Sequence, residues 1–176
     1  WESPNPQGWK MTHSSIIPME FAQRRAYVYC GSGGVAGIAA DNGELLWQSN
    51  EWPEQFATGP SPVILPGGQI FLCSGYRNQI GSLMLQLRKD SGRIVTETVL
   101  RLPPKRFNSE QQTPIYFEGH LYGVRKRGGG QLVCLDPEGV SSDRHEDRSG
   151  GERKENDGHM MCRSDGEDLG GAIGCE

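Results

Sequence analysis

The stretch from Tyr27 to Trp47 alternates short apolar runs with turn signals, and this alternation constrains the fold more than any other feature. The runs carry the aromatic, β-branched and small apolar residues typical of strands: Tyr27–Cys30, Val35–Ala40 and Glu44–Trp47. The glycine-rich turn Gly31–Gly34 separates the first two runs, and Asp41-Asn42-Gly43 separates the last two. The pattern predicts a β-meander, in which antiparallel strands follow one another in chain order.

The same pattern returns twice along the chain. The further predicted strands are Ser14–Met19, Ser61–Leu65, Gln69–Ser74, Ile80–Leu87, Arg93–Leu102, Thr113–Phe117, His120–Val124 and Gln131–Leu135. The glycines that close the third strand of each repeat, Gly43, Gly92 and Gly139, are separated by 49 and 47 positions. Repeats of this length with four short strands are typical of β-propeller blades, which bury both faces of each sheet by stacking. The sequence therefore predicts an all-β partial β-propeller of about three four-stranded antiparallel blades, at about 14–52, 61–102 and 111–139.

The two ends of the chain differ in composition from residues 14–139. Residues 1–13 form a polar, proline-containing lead-in segment, and the chain begins with Trp1, which we interpret as the start of a fragment. Residues 140–176 hold ten Asp and Glu, five Lys and Arg and no aromatic residue, so they predict a disordered charged tail. The tail follows Gly139, where a fourth strand is expected. We therefore hypothesise a non-native, frameshift-like end, with a natural acidic tail as the alternative.

The segment Gly37–Trp47 resembles the closing motif of the PQQ-like propeller repeat, Ala-Leu-Asp-Ala-x-Thr-Gly-x-x-x-Trp. Gly43 and Trp47 match best, whereas Gly37 and Ala39 stand at the motif's Ala and Asp positions. The second repeat keeps Gly92 and has Thr96 where the motif has Trp, and the third keeps Asp136 and Gly139. The repeat is shared by quinoprotein alcohol dehydrogenases, the outer-membrane protein assembly factor and many bacterial secreted proteins. The resemblance implies that Trp47 docks between blades and that the protein is periplasmic or secreted.

Several motifs suggest chemistry but have simpler interpretations. Gly31–Ala36 fits a loose dinucleotide fingerprint, yet Asp41-Asn42-Gly43 would break the required helix within two turns, so a β-turn is favoured. A metal site at His159, Cys162 and Cys175 would lack paired Cys spacing, and chance is the favoured explanation. The remaining candidates have structural interpretations: Cys30, Cys73 and Cys134 as buried free thiols, His13 and His120 as isolated histidines, Asp136 and Glu138 as turn residues, and the basic clusters at Lys105-Arg106 and 125–127 as solvated surface.

Two functional hypotheses from different classes follow. The first is a non-catalytic interaction scaffold with a protein partner, no catalytic residue and no cofactor. The alternative is a fragment of a PQQ-dependent quinoprotein dehydrogenase, which would hold PQQ and Ca²⁺ on the propeller axis. The nearly neutral charge of residues 1–139 argues against a nucleic-acid partner, and no run is long and apolar enough for a membrane span. Exposed end faces of a three-blade arc predict self-association or aggregation.

Overall fold

The computed structural model describes residues 1–52, 58–74, 81–125 and 130–138. This part of the chain is all-β and forms three antiparallel sheets. The first sheet contains β1 (Ile17–Phe21), β2 (Arg24–Gly31), β3 (Gly34–Ala39) and β4 (Leu45–Ser49). The second contains β5 (Val63–Leu65), β6 (Gln69–Ser74), β7 (Gly81–Asp90) and β8 (Arg93–Leu102). The third contains β9 (Ile115–Phe117), β10 (His120–Arg125) and β11 (Gln131–Leu135).

Within each sheet, every strand pairs with the strands that precede and follow it in the chain. The predicted meanders are therefore confirmed. The predicted fourth strand of the third repeat, Gly139 and the tail at 140–176 lie outside the described residues. Pro18 lies on the edge strand β1, the kind of strand in which proline is tolerated because one side of the strand has no partner in the sheet.

Tight two-residue turns join several of the strands. Ser91-Gly92 and Glu118-Gly119 have positive φ at both positions, as a type I′ hairpin turn requires. Ala22 and Gln23, with φ of 51° and 65°, form the same kind of turn without a glycine. The strand β1 ends later and β2 begins earlier than the predicted strands Ser14–Met19 and Tyr27–Cys30, so only these two residues separate the strands. Phe21 and Arg24 are already paired as strand residues.

In both the first and the second sheet, the third strand begins unusually close to the end of the fourth strand. Gly34 begins β3 and Gly81 begins β7. A Cβ on Gly34 would lie 2.2 Å from the carbonyl oxygen of Ser49, the last residue of β4. A Cβ on Gly81 would lie 2.1 Å from the carbonyl oxygen of Leu102, the last residue of β8. Since a side chain cannot fit at that distance, glycine is required at the start of the third strand in both sheets.

A β-bulge follows at the corresponding place in both sheets, at Gly37/Ile38 and at Met84/Leu85. Before the bulge, Gly37 pairs with Trp47, and Met84 pairs with Leu100. Leu100 therefore occupies the position of Trp47 in the second sheet. The motif count that placed Thr96 there was wrong, because the hairpin of β7 and β8 is longer and Thr96 pairs with Leu87.

The second sheet buries both of its faces, because successive side chains of a strand point to opposite sides. Ile70 and Leu72 of β6 lie in an apolar cluster with the first sheet, whereas Phe71 and Cys73 lie in a cluster with the third. First-sheet members of the former cluster are Met19, Ala26, Val28, Cys30, Val35 and Trp47. The latter cluster contains Leu121 and Leu135 of the third sheet and Phe107 of the connection between β8 and β9. The three sheets are thus stacked in chain order.

Candidate functional site

A repeated hydrogen bond joins the three sheets at the start of their first strands. Ser15, Ser61 and Thr113 each stand two residues before the first strand of a sheet. The Ser15 N–H donates to Ser61 Oγ, and the Ser61 N–H donates to Thr113 Oγ1, both at 2.9 Å. We call these three residues the hydroxyl ladder. The ladder fixes the position of each sheet relative to the next at this end of the stack.

Buried polar side chains gather at the same end, which we call the connector end. It contains the β2–β3 turn, the end of β6, the start of β7, the described part of the connection from β4 to β5 and the connection from β8 to β9. All the buried polar residues that the structure describes lie on these connections or at adjoining strand ends: Ser49, Thr58, Ser61, Ser74, Ser82, Asn108 and Ser109. Burying polar groups has a cost unless they are hydrogen-bonded. Ser82 meets this requirement by donating its Oγ–H to the carbonyl oxygen of Phe107 at 3.1 Å.

Asn108 is a buried polar residue that does not meet this hydrogen-bonding requirement. Its side chain is fully buried, and neither Oδ1 nor Nδ2 has a hydrogen-bond partner among the described residues. On the connection from β4 to β5, Thr58 Oγ1 is also buried, and no described residue forms a hydrogen bond with it. The two connections touch beside Thr58, where a Cβ on Gly59 would lie 2.9 Å from the carbonyl oxygen of Glu110. The connector end is therefore polar inside and carries neutral amide and hydroxyl groups.

Two cysteines lie at this end and are buried as free thiols, as the sequence predicted. Burial raises the pKa of Cys30 to about 12, against a smaller lowering by the Ser14 side chain. Burial likewise raises the pKa of Cys73 to about 12. Because the thiolate is the nucleophilic form, these thiols are poor nucleophiles at neutral pH.

Cys134 differs from these two. It is disulfide-bonded, and its partner lies outside the described residues, so its interpretation as a free thiol was wrong. The physical reason is its position on β11, the edge strand of the third sheet, where the side chain is only partly buried. A second sulfur can approach it there.

The lead-in segment packs on the outer face of the first sheet, which the sequence did not predict. The Trp9 indole covers the β2–β3 turn, where a Cβ on Gly33 would lie 2.3 Å from its Nε1. The N–H of Lys10 donates to Ser32 Oγ at 2.9 Å, and the Ser32 N–H donates to the Lys10 carbonyl at 3.0 Å. The Asn5 side chain closes the loop by accepting from the Trp9 N–H and donating to the Trp9 carbonyl. At this turn the lead-in is thus attached by polar bonds and by the aromatic contact of Trp9.

A cleft of about 470 Å³ lies between the lead-in segment and the first sheet. We call it the aromatic cleft; among its lining residues are Trp1, Trp9, Met11, Tyr27, Tyr29 and Ile38. The rings of Trp1 and Tyr27 are 6.4 Å apart between centroids. Trp1 and Met11 remain 67% and 84% exposed, so apolar groups line an open site. The available sequence signal was the presence of two Trp in a polar segment upstream of a glycine-rich turn.

The repeat-motif residues are structural and do not meet at one site. Trp47 is buried in the cluster between the first and second sheets. Gly43 has φ of 75° and lies beneath the Trp1 ring, and Gly92 has φ of 82° in its hairpin turn. Asp136 Oδ1 accepts the Glu138 N–H at 2.9 Å, which is a turn contact. Gly139 lies outside the described residues.

The other candidates lie apart. Gly31–Ala36 contains a turn followed by strand β3, so the β-turn interpretation is confirmed. His13 is exposed, and His120 Nδ1 lies 2.9 Å from the Glu118 carbonyl. Lys105 and Arg106 are exposed, Arg125 Nη2 donates to Gln131 Oε1, and 126–127 are not described. His159, Cys162 and Cys175 lie beyond the part of the chain that the structure covers.

No three His, Cys, Asp or Glu side chains of the described ranges come together as a potential metal site. Those ranges also contain no helix with the length and apolarity that crossing a membrane requires. The sequence matches no protein-family model and no curated protein.

Proposed function

We propose that residues 14–139 are successive blades of a β-propeller of the PQQ-like repeat type, and that the chain is a non-catalytic scaffold for a protein partner. The observation that supports this most strongly is the hydroxyl ladder. The same backbone-to-hydroxyl bond joins the first sheet to the second and the second to the third. A bond between equivalent atoms recurs in this way when successive sheets are related by a similar rotation.

The sense of stacking supports the same proposal. The first-sheet face that carries Val28 and Cys30 packs on the second sheet. The corresponding second-sheet face, with Phe71 and Cys73, packs on the third. Each sheet therefore presents the same face to its successor. This head-to-tail arrangement produces a ring when the rotation closes.

The chemistry of the described residues favours binding over catalysis. Protein interfaces are enriched in Trp, Tyr and Met, and these residues line the aromatic cleft. The buried polar groups at the connector end are neutral, and the two free thiols resist ionisation there. We therefore propose that a protein partner contacts the aromatic cleft with apolar side chains.

A crosslinking experiment tests this proposal. A photo-crosslinker on Met11 should capture a partner from extracts of the source cells. Tyr27→Ala should reduce that capture at least several-fold, because it removes a ring from the cleft. Val95→Ala is the matched control, since Val95 is 40% exposed against 38% for Tyr27 but lies on β8. Equal capture by both variants would contradict the proposed site.

A calorimetric titration with PQQ and Ca²⁺ tests the alternative function. The scaffold proposal predicts no saturable heat of binding for the folded chain. Saturable binding at micromolar ligand would instead support the quinoprotein hypothesis. Circular dichroism on the same sample verifies that the chain is β-rich during the titration.

A further inference from the structure

Within the described residues, one apolar face of the third sheet has no neighbouring sheet packed on it. We call it the end face; its exposed residues are Ile115, Phe117 and Leu132, on β9 and β11. Ile115 corresponds to Val63, because each follows its ladder hydroxyl by two residues. Val63 is 8% exposed in the cluster with the third sheet, whereas Ile115 is 62% exposed. The end face is therefore the third-sheet equivalent of the second-sheet face that packs on the third sheet.

The opposite end presents the complementary side of that interface. We call the outer face of the first sheet the start face; it includes Tyr27, Tyr29 and Ile38. Tyr27 precedes Val28 on β2 as Ile70 precedes Phe71 on β6. Ile70 is fully buried against the preceding sheet. In the first sheet, the lead-in segment takes the place of a preceding sheet.

The hydroxyl ladder is also incomplete at both ends. The N–H of Thr113 has no hydrogen-bond partner among the described residues, although the equivalent Ser61 N–H has one. The Oγ of Ser15 likewise accepts no bond from them, although the equivalent Ser61 Oγ does. Both Thr113 and Ser15 are exposed. A bond from Thr113 to Ser15 of a second molecule would repeat the internal bond a third time.

We infer that the lead-in segment is a cap that prevents a second molecule of this chain from stacking its end face on the start face. Trp9 covers the β2–β3 turn with its indole, and the Lys10–Ser32 bonds hold the segment beside it. With the cap in place, a molecule offers an end face but no free start face. A head-to-tail dimer keeps one free face at each end, so uncapped molecules would continue into rings if the rotation closes and into fibres if it does not. This inference depends on the stacking of the sheets, and not on the partner or on closure of a propeller.

Analytical ultracentrifugation with two variants tests the cap. Trp9→Ala should release the lead-in and give oligomers whose mass rises with concentration, whereas the unmodified chain should sediment as one 19.4 kDa species. Adding Phe117→Lys to Trp9→Ala should return the protein to a single chain, because it places a charge on the end face. Val95→Lys is the matched control on another surface and should leave the oligomers unchanged. If the unmodified chain itself forms oligomers, and Phe117→Lys alone abolishes them, the inference is overturned.

A mixing experiment determines the direction of stacking. Trp9→Ala/Phe117→Lys has a free start face and a blocked end face, so it should not associate with itself. Mixed with the unmodified chain, it should give a one-to-one dimer and nothing larger. Absence of that dimer, with β-sheet circular dichroism retained, would overturn the inference. If Trp9→Ala loses that signal, Asn5→Ala releases the same loop through its bonds to Trp9, and the same outcomes apply.

Discussion

The Trp47 indole lies over Gly37, its partner across β3 and β4, in the space that a larger residue at 37 would fill. A Cβ on Gly37 would be 2.2 Å from Trp47 Nε1. In the second sheet the same position pairs Met84 with Leu100, and both are buried against the third sheet. The pair of Gly37 and Trp47 thus fills the interface between the first and second sheets, and the pair of Met84 and Leu100 fills the equivalent interface between the second and third. The two positions are coupled through the volume they share.

Gly37→Ala should therefore destabilise the protein by about 1–3 kcal/mol, because overpacking forces the indole out of its place. Trp47→Leu in the Gly37→Ala background should recover part of that loss, since it makes room for the added methyl. Denaturant unfolding of both single variants and the double variant gives the coupling free energy. Additive effects would show that the two residues do not share this volume.

Gly81→Ala should destabilise the protein more than Gly92→Ala. Both residues have positive φ, at 91° and 82°, so the backbone strain of about 1–3 kcal/mol is common to both. Only at Gly81 would the new Cβ meet a backbone atom, the carbonyl oxygen of Leu102 at 2.1 Å, whereas nothing lies within 4 Å at Gly92. Chemical denaturation of the two variants measures the difference. Equal losses of stability in the two variants would mean that Gly81 lies farther from the Leu102 carbonyl oxygen than the distance of 2.1 Å from its Cβ position implies.

Thr113→Val should cost about 1–3 kcal/mol, because it leaves the buried Ser61 N–H without its acceptor. Thr113→Ser keeps the hydroxyl and should restore most of that stability. Hydrogen exchange at the Ser61 amide provides a local measurement, with faster exchange expected in Thr113→Val alone. Unchanged exchange in that variant would be evidence against the ladder.

The buried thiols predict a loss of stability at high pH. In the unfolded chain Cys30 and Cys73 ionise near their ordinary pKa of 9.0, whereas in the folded chain the pKa is about 12. Their contribution is complete below pH 9 and is lost as the pH rises towards 12. In that window, each thiol should lower the free energy of unfolding by about 1.4 kcal/mol per pH unit. The pH dependence of unfolding for Cys30→Ala/Cys73→Ala should be flatter than for the unmodified chain between pH 8 and 10, and identical slopes would contradict this.

Most strand positions could be predicted from the sequence, because the strands end at local signals. Gln69–Ser74, Arg93–Leu102 and Gln131–Leu135 are observed with their predicted bounds. Each is bounded on at least one side by a turn containing Gly or Asp, whose conformational preference does not depend on the rest of the fold. The turn at Ala22-Gln23 has no such residue, so its extent could not be predicted.

The features that depend on contacts between distant segments were not predictable in this way. The position of Leu100 follows from the length of a hairpin and not from its distance to Gly92. The packing of Trp9 on the β2–β3 turn joins a segment without periodicity to a turn of three glycines and Ser32, which carries no apolar side chain. Asn108, which has no hydrogen-bond partner in the part of the chain that the structure describes, lies where two connections meet. The candidate site consists mainly of such contacts, so the sequence did not predict it.

A crystal structure of the chain tests the central proposal most directly, that the three sheets are successive repeats stacked head to tail. We predict that the rotation relating the first sheet to the second also relates the second to the third. The N–H groups of Ser15 and Ser61 should lie about 2.9 Å from the hydroxyls of Ser61 and Thr113. Different rotations for the two pairs of sheets, with either of these bonds absent, would contradict the proposal.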